Sequence, residues 1–282
     1  MNEKTAHHAK GPGDAESVVK NVRERYGAFA TAGTSCCGPQ TTSCCGTGDV
    51  ATRLGYDSVD LQLLPDGANL GLGCGAPLAH LDLQAGETIV DLGSGAGIDA
   101  LIAARKVGPG GMVIGIDMTP EMLSAARKNA ETAGAKQVDF REGRLEDLPV
   151  DDASVDAVTS NCVINLVPDK ALVFSEIARV LRPGGRLVVS DIVLDGDLPG
   201  AIRESVLAYV GCVAGAERRE RYFELLGEAG LGEVEILKDV DFLEMTEKAS
   251  PAEVLSLMEQ AGIERDEVKG MVRSVTYRAR KA

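Results

Sequence analysis

Seven cysteines, Cys36, Cys37, Cys44, Cys45, Cys74, Cys162 and Cys212, are the side chains of this 282-residue chain whose type most invites chemistry. An odd number, in a chain whose start from Met1 to Lys10 is polar and carries no signal-peptide core, does not read as a disulfide framework. The two adjacent pairs sharpen the point. Consecutive Cα atoms lie about 3.8 Å apart, short of the roughly 4.4–6.8 Å that an unstrained disulfide spans. Reduced thiols are therefore expected, and soft thiolates serve redox chemistry or hold soft ions.

Other groups of catalytic type are scarce. Histidine, the usual general base near neutral pH, occurs only as His7, His8 and His80. The first two fall in an aperiodic lead, and His80 in a short helix after Pro77, where a surface or packing role is the simpler reading. Asp169 and Asp191 could act as bases, but nothing in the sequence singles them out. An acceptor that already carries a lone pair would need no base. A soft trivalent ion held by three thiolates in a pyramid is such an acceptor, and its lone pair could attack a sulfonium methyl in line.

The elements that must position the thiols follow from hydrophobic periodicity. A helix is predicted from Glu16 to about Phe29, with Val18, Val19, Val22 and Tyr26 on one face, and Thr31 to Gly48, rich in Thr, Ser, Gly and Cys, reads as a loop. From Glu87 short apolar runs alternate with amphipathic ones. Strands are predicted at Thr88–Leu92, Met112–Asp117, Gln137–Glu142, Val155–Ser160 and Arg186–Val193, with helices at Ile98–Val107, Pro120–Ala133 and Lys170–Leu181. Thr119 before Pro120 is a helix start and Gly134 its stop, and Pro183-Gly184-Gly185 marks a turn into the next strand. Further helices are predicted near Ala201–Val210, Arg218–Ala229 and Pro251–Ala261, the last within an insert between Val240 and Gly270. Strands near Val234–Leu237 and Met271–Ala279 would finish the sheet, the last one antiparallel. No internal repeat is apparent. This is an α/β pattern with a mostly parallel sheet, divisible into an N-terminal Cys-rich segment (1–55), a nucleotide-binding-type domain (56–197) and a C-terminal elaboration (198–282).

In such a sheet ligands bind at the carboxyl ends of the strands. Cys162 follows the fourth strand there, in Ser160-Asn161-Cys162; Cys212 ends a helix after the fifth; Cys74 sits before the sheet in the loop Gly71-Leu72-Gly73-Cys74-Gly75. The first strand runs through Asp91-Leu92-Gly93-Ser94-Gly95-Ala96-Gly97 into a helix, where glycines allow close backbone approach and the helix start offers unpaired N–H groups. The spacing is GxGxG, and Ile98 stands where a pyrophosphate would need room, so a nucleoside without phosphates fits better. Asp117, at the end of the second strand, can accept both hydroxyls of a ribose.

These residues resemble a known superfamily. The turn and its leading Asp91 are similar to the Rossmann-like class I S-adenosylmethionine-dependent methyltransferases. The resemblance implies Asp91, Gly93, Gly95 and Gly97 around the methionine and ribose, Asp117 on the ribose hydroxyls and Met118 against adenine. Leu145, Glu146 and Asn161 complete the implied cofactor set; Glu146 substitutes for the Asp that many members carry directly after the glycine, where this chain has Arg144. More specifically, GLGCG at Cys74, GIDMTPEM from Gly115, SNCVINLVPDK from Ser160, LRPGG from Leu181, SDIVLDGDLP from Ser190 and GCVAGA at Cys212 resemble the arsenite S-adenosylmethionine methyltransferases over roughly Asn69 to Ala216. That resemblance implies that Cys162 and Cys212 bind As(III), with Cys74 as a third thiol. It implies an N-terminal thiol too, for which Cys44 and Cys45, or Cys36 and Cys37, are candidates. The double pair could instead capture metalloid or zinc, although its six-residue gap is no familiar zinc spacing. It further implies S-adenosyl-L-methionine as methyl donor and a thiol reductant, thioredoxin or glutathione, as partner.

Composition narrows the field further. With 29 Lys and Arg against 43 Asp and Glu, the net charge of −14 would repel a phosphate backbone, so no nucleic acid partner is expected. No apolar run approaches the roughly 18 residues of a membrane-spanning helix, so no membrane association and a cytoplasmic location are expected, with the chain acting as a monomer. Two rivals stay open: a class I methyltransferase of an organic small molecule with structural cysteines, and a non-catalytic thiolate binder of metalloid or zinc.

Overall fold

The computed structural model describes residues 14–32, 47–200, 213–242, 244–245 and 268–282. Helix α1 (Ala15–Ala32) is followed by α2 (Thr47–Leu54) and α3 (Ser58–Gln62), a 3-10 turn at Pro77–His80, then β1 (Thr88–Leu92), α4 (Ile98–Val107), β2 (Met112–Asp117), α5 (Pro120–Ala133), β3 (Val138–Glu142) and β4 (Val155–Asn161). A second 3-10 turn at Ile164–Leu166, α6 (Lys170–Val180), β5 (Leu181–Leu194), α7 (Arg219–Glu228), β6 (Leu231–Asp241) and β7 (Val272–Lys281) complete the described elements.

The seven strands form one sheet in the order β3-β2-β1-β4-β5-β7-β6. The first five pair in parallel, and β7 runs antiparallel to both β5 and β6. The fold is therefore the expected Rossmann-like, mostly parallel sheet with an antiparallel last strand. Strand order reverses between β1 and β4, so a crevice opens at their carboxyl ends, the usual ligand site of such sheets. The parallel strands are apolar because helices cover both faces: Ile89, Val90, Leu92, Val113, Ile116, Val158, Val188 and Val189 are all fully buried.

Several boundaries depart from the periodicity. Thr31 and Ala32 extend α1 and Thr47 opens α2, so both ends of the expected loop belong to helices. The Pro183-Gly184-Gly185 turn lies inside β5 as a bulge: pairing passes from Val155↔Leu181 to Ala157↔Arg186, with Gly184 at φ +75°. Strand β6 is longer than its apolar run because it is an exposed edge with two irregularities, one of them at Glu233 with φ +50°. Bulges break the alternation on which sequence reading relies. The helices expected near Ala201–Val210 and Pro251–Ala261 lie outside the described residues. Among the described residues, no helix is long and apolar enough to cross a membrane.

Helix α1 crosses the carboxyl edge of the sheet. Its Val18 and Val22 are buried in a cluster with Cys74, Leu166, Ile192, Leu194 and Val272, against which Tyr26, Met118 and Cys162 also pack. The amphipathic face read from sequence thus closes over the edge where the isolated thiols lie.

Candidate active site

The chain turns sharply where β4 ends. Cys162 adopts φ +59°, a left-handed conformation uncommon for a residue with a Cβ. Its backbone N–H donates to the Ser190 carbonyl at 2.8 Å, which fixes the turn against β5. Such strain in a side-chain-bearing residue often accompanies a functional role. Cys74 arrives from the other side, in the loop before the 3-10 turn, and is buried. Neither is in a disulfide.

One amide joins them. Asn161 Oδ1 accepts the Cys74 backbone N–H at 3.1 Å, while Asn161 Nδ2 donates to the Gly75 carbonyl at 2.8 Å and to the Tyr56 hydroxyl at 2.9 Å. The Tyr56 hydroxyl donates in turn to both carboxylate oxygens of Asp99 at 2.9 Å. The glycines flanking Cys74 make this approach possible: a Cβ at Gly73 would meet the Asn161 amide at 3.0 Å, and one at Gly75 would clash with Ser190 Oγ. On the far side, Ser274 Oγ of β7 donates to the Cys74 carbonyl at 2.8 Å.

The result is a gathering of Cys74 Sγ, Cys162 Sγ and a carboxylate oxygen of Asp191, all within 4.8 Å of one another. Two thiols and one carboxylate at this range suit a soft, polyvalent centre better than a hard cation, which would draw oxygen ligands. Asp191 is fully buried. Its Oδ1 accepts from Asn165 Nδ2 at 2.8 Å and from the Ile192 N–H at 2.9 Å, and its Oδ2 from the Tyr222 hydroxyl at 3.1 Å. Burial raises its pKa to about 7, against the opposing pull of the Ile192 N–H and the Lys170 charge. Asp169, the other carboxylate weighed as a base, caps α6 through the Leu172 N–H, and His80 is half-buried in the 3-10 turn. Cys212, Cys36, Cys37, Cys44 and Cys45 lie outside the described residues.

The glycine turn lies beside this cluster. Gly93, Gly95 and Gly97 have φ of +65°, +52° and +96°, conformations open to glycine at little cost. Asp117 Oδ2 accepts the Gly95 N–H at 2.9 Å and Oδ1 the Thr119 N–H at 2.8 Å. It thus clasps the turn. Burial holds the carboxyls of Asp91, Asp99 and Asp117 above the ordinary range, Asp99 at about 6. Of the remaining cofactor candidates, Met118 is half-buried against the α1 cluster, Leu145 packs into the core under β1 and β4, and Glu146 pairs with Arg144 at 2.6 Å. Asn161, also expected among the cofactor residues, bonds to the Cys74 loop and to Tyr56.

Tyr56, Asp99 and Ser274 were not foreseen from the sequence. A signal existed for the carboxylates: Asp99 interrupts the apolar run Ile98–Ala104 and Asp191 the run Leu187–Leu194, and a charge inside such a run has to be paired or functional. Nothing comparable marks Tyr56 or Ser274.

Residues 83–262 match the family model described as a methyltransferase domain. An arsenite methyltransferase of Halobacterium salinarum is 47% identical over 232 residues, covering 79% of this chain and 59% of that protein. One from Aquipseudomonas alcaligenes is 36% identical, covering 71% and 59%. The crystal structure of an arsenic(III) S-adenosylmethionine methyltransferase from Chlamydomonas reinhardtii superposes with a TM-score of 0.61 at 31% identity, covering 84% of this chain and 74% of that one. The chain belongs to the arsenite methyltransferase family. It spans 59% of the length of each of the two curated family members above. In this chain the thiols Cys74 and Cys162 stand next to the glycine turn, at the edge that α1 covers.

Proposed function

We propose that the chain methylates trivalent arsenic with S-adenosyl-L-methionine. The observation that carries this reading is the meeting of Cys74 Sγ, Cys162 Sγ and Asp191 within 4.8 Å, at the carboxyl edge and beside a nucleoside-type glycine turn. The residues of that turn fit the methyl donor: buried Asp91 Oδ2 and Ser94 Oγ have no hydrogen-bond partner among the described residues. A Cβ at Gly95 would meet nothing nearer than Met122 Sδ at 4.0 Å, leaving the backbone open to a ligand. Asp91, Gly93, Gly95 and Gly97 would hold the methionine and ribose portions, Asp117 the ribose hydroxyls, and Met118, Leu145 and Glu146 the adenine. The donor supplies a methyl on a sulfonium, a leaving group that needs no protein acid, to the arsenic lone pair.

Cys74 and Cys162, with Cys212 as a third thiol, displace oxygens or small thiols from As(III) and keep its lone pair available. Positioning rather than acid-base catalysis then lowers the barrier. Asn161 serves this arrangement by fixing the Cys74 loop to the residue that precedes Cys162. Cys44 or Cys45 would deliver the metalloid, and thioredoxin or glutathione would restore the thiols after turnover. Purified protein incubated with S-adenosylmethionine, arsenite and a thiol should yield methylated arsenic on speciation. No methylated arsenic from the wild type would favour an organic acceptor, and undiminished methylated arsenic from Cys162→Ser would overturn the thiolate site.

A further inference from the structure

The proposed arsenic site contains one group that methyl transfer itself does not require. Asp191 places a carboxylate oxygen within 4.8 Å of both sulfurs, on a strand whose other side chains around it are apolar or paired. Resting on the As(III) reading above, we infer that Asp191 is a specificity residue: its carboxylate accepts a hydrogen bond from a hydroxyl that remains on arsenic after Cys74 and Cys162 have bound it.

The chemistry balances without further reagents. Each thiol attacks arsenous acid, forming an S–As bond as an As–O bond breaks; the thiol proton leaves with the displaced hydroxide as water. Two such exchanges give a dithiolate arsenic with one hydroxyl and two waters. Until a third thiol takes that position, the hydroxyl is a donor buried beside two sulfurs, which are poor acceptors. A buried donor without a partner is costly, and a charged acceptor makes a strong bond. Asp191 has capacity for it. Oδ1 already takes two N–H donors, from Asn165 and Ile192, whereas Oδ2 takes the Tyr222 hydroxyl, so spare acceptance lies on Oδ2.

An arsenical with a carbon group in place of the hydroxyl offers this carboxylate nothing. The site should therefore distinguish inorganic arsenite from monosubstituted arsenicals, and the discrimination should reside in Asp191 rather than in the thiols. In Asp191→Asn the donors from Asn165 and Ile192 keep the amide oxygen in the Oδ1 position, so an NH2 group replaces the accepting Oδ2.

The test compares binding of arsenite and of phenylarsine oxide, whose arsenic forms two thiolate bonds, to the full chain. Asp191→Asn should weaken arsenite by roughly tenfold and leave phenylarsine oxide within about twofold of wild type. Equal losses for both probes, or no loss for either, would overturn the inference. Should Asp191→Asn fail to melt cooperatively, Tyr222→Phe decides: removing the competing hydroxyl should favour arsenite over phenylarsine oxide, and an unchanged ratio counts against the role. The underlying site is judged separately, because Cys162→Ser must lose phenylarsine oxide binding whatever Asp191 does.

Discussion

Asn161 and Cys74 lie 87 positions apart in sequence, yet the side-chain amide of one accepts the backbone N–H of the other at 3.1 Å. Since Asn161 directly precedes Cys162, its side chain ties the backbones of the two thiols together. Asn161→Ala would remove the acceptor of the Cys74 N–H and the donor to the Gly75 carbonyl in a largely buried place. We expect a loss of roughly 1–3 kcal/mol in stability, together with weaker two-thiolate binding of phenylarsine oxide. Affinity for S-adenosylmethionine, followed by calorimetry, should hardly change; a large loss there would return Asn161 to the cofactor site.

Gly73→Ala attacks the same contact from the opposite side. With φ at +125° and the Asn161 amide 3.0 Å from a new Cβ, it should cost more than about 1 kcal/mol. Combined with Asn161→Ala, the losses should add to distinctly less than their sum, because both variants break one contact. Denaturant unfolding of the two singles and the double measures this.

Asp117→Ala releases the Gly95 and Thr119 N–H groups and removes the acceptor for a ribose. S-adenosylmethionine binding should fall by roughly tenfold to a hundredfold, as losses of charge-assisted hydrogen bonds do. Arsenical binding to the thiols, which Asp117 does not touch, should remain within about twofold.

Two buried carboxyls make stability depend on pH. Asp99 and Asp191 titrate at about 6 and about 7 in the folded chain, both raised by burial from 3.8. The folded state therefore binds more protons than the unfolded one between those limits, and stability present below the unfolded pKa is lost as pH rises through the folded values. The melting temperature of the ligand-free protein should decline from about pH 4 to pH 7. Asp191→Asn should flatten the upper part of that decline, and Asp99→Asn the lower part.

The parallel half of the fold was legible because buried strands and amphipathic helices leave strong periodic signatures, and β1, β2, α4 and α5 begin and end where the pattern and its punctuation place them. Helices α2 and α3 were not, being only eight and five residues long. For the site, Cys162 was marked by its position after β4 and Cys74 by its glycines. That the two thiols meet depends on Tyr56, Asn161, Ser190 and Ser274, which come from four separate elements or loops. No local pattern encodes such an encounter. Asn161 illustrates the limit: its hydrogen bonds to the Cys74 loop join residues 87 positions apart, which no spacing in the sequence announces.

Strand β7 fills the gap between β5 and β6, and its Ser274 grips the carbonyl of a cysteine 200 residues earlier. During synthesis the chain emerges from its N-terminal side, so Cys74 and Cys162 are both outside the ribosome well before the strand that completes their surroundings. Until then β5 waits with one edge unpaired, and β6 has no partner with which to join the sheet. A nascent chain carries both thiols before it can hold them in the finished arrangement. Closure of the surroundings of Cys74 is thus coupled to the pairing of β7, a strand made after both cysteines.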